Sequence, residues 1–166
     1  LAYDENQRYL LLELPGNDVP QWAGQLIYEL KTSDVVPVLA HPERNLAIIR
    51  NPVMLYDLVV RGCLVQVTAG SVLGTFGGGP RQVTEVLLRH DLVHAVASDA
   101  HNDGDRAPVL SHARAVIGRL IGEKAASPLF DANPRRIVEG ADFYVPEPKR
   151  PGAGGDLLGR LRRMVE

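Results

Sequence analysis

The sequence predicts an α/β fold of parallel strands alternating with helices, and three observations carry that expectation. Apolar runs of strand length recur four times, bounded by Gly, Pro, Asn or Asp. Stretches with helical spacing separate them, joined by short connections. Polar side chains gather where the apolar runs stop, which is where parallel α/β folds place their chemistry.

The elements follow in order. Tyr9–Glu13 reads as a buried strand that ends in a carboxylate. Asn17, Asp18 and Pro20 form a helix-start signal, and Trp22, Leu26, Ile27 and Leu30 continue it at helical spacing. Val35–Ala40 is the second strand and runs into His41-Pro42; Asn51-Pro52 then opens a helix striped by Met54, Leu55, Leu58 and Val59. Leu64–Thr68 is the third strand, followed by an Ala69-Gly70-Ser71 loop and a Gly77-Gly78-Gly79 hinge before a helix over Pro80–His90. Val93–Ser98 is the fourth strand and reaches Asp99; Pro108–Ile121 is an apolar-striped helix, and Asn133-Pro134 starts a last short one. An open doubly wound sheet and a slice of a β/α barrel fit this pattern equally.

Composition bounds the function. The chain has 166 residues, enough for one domain with a real core, and 45% of them are apolar. A formal net charge of −2 gives no electrostatic reason to expect nucleic acid or an anionic membrane. The single cysteine, Cys63, excludes an internal disulfide and a Cys-based zinc site, and its apolar setting marks a buried, inert thiol. No apolar stretch approaches the length needed to span a bilayer, so a reducing, cytoplasmic setting is the expectation. Residues 1–145 read as one domain and 146–166 as a Pro/Gly linker with a short basic amphipathic tail. The chain starts at Leu1, without an initiator Met, within a few residues of its first strand, and so reads as cut from something longer.

The strand ends hold an unusual set: Glu13 after the first, His41 with Glu43 and Arg44 after the second, and Asp99 with His101 after the fourth. Asp99 and His101 are two apart, which on an extended segment points both the same way. A carboxylate beside an imidazole suits a divalent transition metal, and Glu13 and His41 can add ligands from neighbouring strands. Taken singly each residue has an ordinary role: Asp99 as a helix cap, His41 as a loop histidine before proline, Arg44 and Arg106 as solvated charges. Three of four strands ending this way is what outweighs those roles. His90, His94 and His112 lie away from strand ends and read as structural or surface residues.

Four segments at these positions, YLLLELP from Tyr9, VPVLAHPERN from Val36, QVTAGS from Gln66 and VASDAHN from Val96, occur in order with family-like gaps. In them the chain resembles the bacterial metal-dependent tyrosine phosphatases of the polymerase-and-histidinol-phosphatase (PHP) superfamily, encoded with capsule and exopolysaccharide synthesis genes. The likeness runs from about Tyr9 to about Gly140 and covers the C-terminal part of that domain. It implies a partial distorted (β/α)7 barrel and a cluster of up to three divalent metals, often Mn2+. By resemblance, Glu13 and His41 match ligands of one metal, Asp99 of a second and His101 of a third. Arg44 and Arg106 match arginines that contact the substrate phosphate; Ser71 and Asn102 match neighbouring positions without a role, and Glu43 reads as a partner to Arg44. The family's opening His-x-His pair, a further histidine and a bridging glutamate have no counterpart here, so a complete trinuclear site is not expected from these residues alone.

The implied activity is hydrolysis of protein phosphotyrosine, on the tyrosine-rich C-terminal tail of a capsule-regulating tyrosine kinase. The same superfamily chemistry also suits a small phosphoester such as histidinol phosphate, and the absent ligands suit a non-catalytic binding or structural piece. The chain is expected to be nearly silent by itself. Its first strand is expected at an open sheet edge that a further segment, or a second copy in a homo-oligomer, covers.

Overall fold

The computed structural model describes residues 2–5, 7–102 and 108–152. Four parallel strands, β1 (Tyr9–Leu12), β2 (Val36–Ala40), β3 (Leu64–Thr68) and β4 (Ala95–Ala97), pair in the order β1-β2-β3-β4. A doubly wound sheet reverses its strand order at a switch point. This sheet does not reverse, so of the two topologies the sequence allows, the molecule takes that of a barrel slice.

The pleat divides the core. Leu39, Val65, Val67 and Val96 face the helical side and join one large cluster, with Leu12 packed against it. Tyr9, Val38, Leu64 and Ala95 face the other side and form a smaller cluster with Ile137. Helices α1 (Ala23–Thr32), α2 (Leu46–Arg50), α3 (Val53–Val60), α4 (Ala69–Leu73), α5 (Gly78–Arg89), α6 (Ser111–Ile121) and α7 (Glu123–Phe130) feed the large cluster. In α5 the buried pairs Val83/Leu87 and Thr84/Leu88 are spaced by four, one apolar stripe turned to the sheet. The short α8 (Ala132–Val138) sends Ile137 to the smaller cluster.

Several elements differ from the sequence expectation. The first helix starts at Ala23 without a side-chain cap; the Asp18 carboxylate instead accepts from the Val19 N–H at 2.8 Å, and its carbonyl accepts from Asn45. The expected Ala69-Gly70-Ser71 loop is helix α4, whose first turn is capped by the Thr68 hydroxyl accepting from the Ser71 N–H. β4 is shorter than Val93–Ser98, because the Val65 N–H that would extend its ladder donates to the His94 ring at 2.9 Å.

β1 is one of the two edge strands, and its outer side is partly covered by the chain itself. Ala2 bridges antiparallel to Leu10, and the Tyr3 N–H donates to the Tyr9 carbonyl at 2.9 Å. At the other end, residues 149–151 of the expected linker lie against the body. Lys149 pairs with Asp91 at 2.7 Å, Arg150 sits over the Tyr56 ring and Pro151 is buried. Residues 153–166, which hold the expected basic tail, lie outside the described residues. No helix among the described residues is long and apolar enough to cross a membrane.

Candidate metal and phosphate site

Because all four strands are parallel, their C-terminal ends share one end of the sheet. Glu13 follows β1, His41 follows β2, and Asp99 lies two residues past β4. The Glu13 carboxylate stands 3.6 Å from the His41 Nε2. Arg44 donates from Nη1 to Asp99 at 3.0 Å. The His101 Nδ1 lies 2.8 Å from the Asp99 carbonyl and 3.9 Å from its carboxylate. His41 and Arg44, three residues apart on one turn, thus connect the exit of β2 to that of its neighbour β1 and, across β3, to that of β4.

That turn is strained and held. His41 has φ 36° and Asp99 φ 52°, both left-handed, which costs a non-glycine residue on the order of 1 kcal/mol. Pro42–Arg44 then forms a single 3₁₀ turn. Asn45 bolts it to the loop after Glu13: its amide donates to the Pro15 and Asp18 carbonyls at 2.6 and 2.7 Å. The Asn45 side-chain oxygen meanwhile accepts from the Ala47 and Ile48 N–H groups and caps α2.

Glu43 bolts the turn to β3. It is fully buried, and one carboxylate oxygen accepts from both the Thr68 N–H and the Thr68 hydroxyl at 2.9 Å. The Thr68 hydroxyl also meets the Ser71 hydroxyl at 2.8 Å. The other Glu43 oxygen is buried with no hydrogen-bond partner. Burial pushes the Glu43 carboxyl up from the usual carboxylate range, opposed by its hydrogen bonds from Thr68. The expected pairing of Glu43 with Arg44 is therefore corrected: adjacent residues of the turn point apart, Glu43 into the core and Arg44 toward Asp99.

Phe76 is a site neighbour with no signal in the sequence. The Arg44 guanidinium lies 4.5 Å from its ring centroid. Arg106 lies outside the described residues. Of the other histidines, His94 is buried in the core, His90 bonds the Val86 carbonyl of its own helix at 2.7 Å, and His112 is exposed. Cys63 is a buried free thiol that burial pushes far above its usual range, which leaves it protonated and unreactive.

The donors suit a divalent cation in kind, since imidazole nitrogen and carboxylate oxygen are ligands of manganese and its neighbours. In number they form two half-shells, Glu13 with His41 and Asp99 with His101. Among the described residues no group of three or more His, Cys, Asp or Glu is arranged to hold one ion.

Comparison with known proteins shows the family and supports the fold. CapC of Staphylococcus aureus is 46% identical over 99 residues, 60% of this chain and 39% of that protein. Tyrosine-protein phosphatase YwqE of Bacillus subtilis is 46% identical over 95 residues, 57% of this chain and 37% of that protein. Tyrosine-protein phosphatase CpsB of Streptococcus pneumoniae is 30% identical over 138 residues, 80% of this chain and 57% of that protein. A solved structure, from a study of those last two proteins as unique metal-dependent tyrosine phosphatases, superposes with a TM-score of 0.82 at 36% identity. It covers 86% of this chain and 57% of its own, so the matched part of the chain spans between 37% and 57% of the length of these proteins. The profile described as "Capsular polysaccharide synthesis, CpsB/CapC" matches residues 4–139, and the chain belongs to that family.

Proposed function

We propose that this chain carries part of the catalytic centre of a metal-dependent phosphatase acting on protein phosphotyrosine. One observation carries the reading: Glu13, His41, Asp99 and His101 stand with Arg44 past the C-terminal ends of parallel strands of one sheet. In this reading Glu13 and His41 hold one divalent cation, and Asp99 and His101 contribute to others. Further donors come from outside the described residues. Manganese is the ion the family resemblance implies, and the nitrogen and carboxylate oxygen donors are compatible with it. When bound, the ions supply a water acidic enough to be hydroxide near neutral pH.

The chain's own residues do the rest. Arg44 faces the anion, and its planar guanidinium offers hydrogen bonds to phosphoryl oxygens as charge builds on them. Arg106 is assigned the same role. The leaving phenolate has a pKa of about 10 and needs little help from a general acid. A tyrosine-rich kinase tail encoded with capsule synthesis is the proposed substrate, in the cytoplasm, where that tail lies. Names of relatives support this reading: YwqE and CpsB are tyrosine-protein phosphatases.

The test is hydrolysis of a phosphotyrosine peptide with manganese, by the 166-residue chain and by a version extended with the relatives' N-terminal segment. The extended protein should turn over, while the chain alone should be nearly silent. Robust turnover of histidinol phosphate but not of the peptide would replace the substrate class. Inactivity of both proteins toward both substrates would favour a non-catalytic role.

A further inference from the structure

Arg44 is restrained from two directions. Its Nη1 donates to Asp99 at 3.0 Å, and its guanidinium lies over the Phe76 ring at 4.5 Å from the centroid. The ring is itself seated by the backbone beneath it. A Cβ at Gly70 would come within 2.6 Å of the ring's Cε2, so one edge of the ring packs where only glycine leaves room. The loop that brings Phe76 there is built from residues chosen for conformation. Gly74 ends α4 at φ 85° and Gly77 has φ 95°, both left-handed. The Thr75 N–H closes back on the Gly70 carbonyl at 2.8 Å, and the Gly77 N–H on the Gly74 carbonyl at 3.0 Å. Three glycines and two backbone hydrogen bonds thus serve to fold one half-buried aromatic ring under one arginine.

We propose that Phe76 is a positioning residue for Arg44, a platform that fixes the guanidinium for an incoming phosphate. This rests on the phosphatase reading above and names a part of that site which no strand-end motif contains. A π contact uses the face of the guanidinium and leaves its in-plane N–H groups for an anion. Holding the group in place before binding removes much of the rotamer freedom that a long, exposed arginine would lose on capture.

The experiment uses the 166-residue chain and inorganic phosphate, with binding followed by NMR at the Arg44 side-chain Nε–H signal. Ring current from Phe76 should displace that signal upfield in the wild type, and Phe76→Leu should abolish the displacement. Phe76→Leu should weaken phosphate binding about threefold to tenfold while the melting temperature stays put, since the ring is half-exposed. Phe76→Tyr should restore both signal and affinity, and Gly70→Ala, which pushes the ring off its seat, should reproduce the loss. In an Arg44→Gln background, Phe76→Leu should have no further effect on phosphate binding. An equal loss in both backgrounds, or none in either, would overturn the platform role. If Arg44→Gln itself leaves phosphate affinity unchanged, the phosphate role of Arg44 falls and the inference falls with it. If Arg44→Gln is harmful and Phe76→Leu is neutral, the inference fails alone.

Discussion

β3 is tied at its start by His94 and at its end by Glu43, and the two anchors invite comparison. Each is a buried titratable side chain from a neighbouring stretch, and each accepts a backbone N–H of β3: Val65 in one case, Thr68 in the other. Burial drives both toward their neutral forms, His94 downward to about 4 and Glu43 upward. Each also has one buried polar atom without a partner, the His94 Nε2 and one Glu43 oxygen. They differ in what lies next in the chain. His94 leads into β4 and the core, where Asn133 donates to its carbonyl at 2.8 Å. Glu43 sits between His41 and Arg44, so whatever fixes Glu43 also fixes two side chains at the strand exits. The same physical device therefore serves packing at one end of the strand and the site at the other.

The sharpest way to break this contrast is at the exit residues themselves. In a protein that hydrolyses phosphotyrosine, His41→Ala or Asp99→Ala should lower kcat/KM by more than about a hundredfold while the circular dichroism spectrum is retained. Unchanged kinetics in Asp99→Ala would refute the site.

Next comes Glu43→Ala. It strands the Thr68 N–H in the core, removes one partner of the Thr68 hydroxyl and leaves a cavity, and should cost about 2–4 kcal/mol in denaturant unfolding. Manganese affinity should fall with it by about tenfold or more, because the turn carrying His41 loosens. A stability loss with no change in manganese affinity would reduce Glu43 to the status of His94.

His94 should show in the pH dependence of stability and leave manganese affinity untouched. Its folded pKa of about 4 lies below the unfolded value of 6.5, so between those limits the unfolded chain binds more protons. Stability should thus fall as pH drops from 6.5 toward 4, by about 3 kcal/mol at most. The cause is burial of the ring, which disfavours its charged form; a proton on Nδ1 would also face the Val65 N–H that points at it. His94→Asn, which keeps an acceptor near that place, should flatten the slope in urea titrations run across this range. The smallest effect belongs to His90→Ala, outside both anchors. It loses one hydrogen bond to the Val86 carbonyl and should cost about 1 kcal/mol or less.

The fold was legible wherever a run of side chains reports on its own burial. Leu64–Thr68 was read with its bounds intact, since four of its five residues are buried. Short helices were not legible: α2 and α4 have five residues each, too few for a period, and Gly70 and Ser71 resemble a loop. α7 was hidden by Pro128 inside it. At the site, strand exits named Glu13, His41 and Asp99, because that rule needs only local order. What Glu43 and Arg44 touch was not legible. Thr68 is 25 residues from Glu43 and Asp99 is 55 from Arg44, and only the folded sheet decides which neighbour each side chain meets.

The central claim is that the strand exits of this chain bind a divalent metal through His41 and Asp99. Titrating the 166-residue chain with manganese, read by the loss of the free-ion electron paramagnetic resonance signal, tests it most directly. The account predicts binding by the wild type that is weakened at least tenfold in His41→Ala and again in Asp99→Ala, with melting temperatures close to wild type. Equal manganese binding by all three proteins would contradict it.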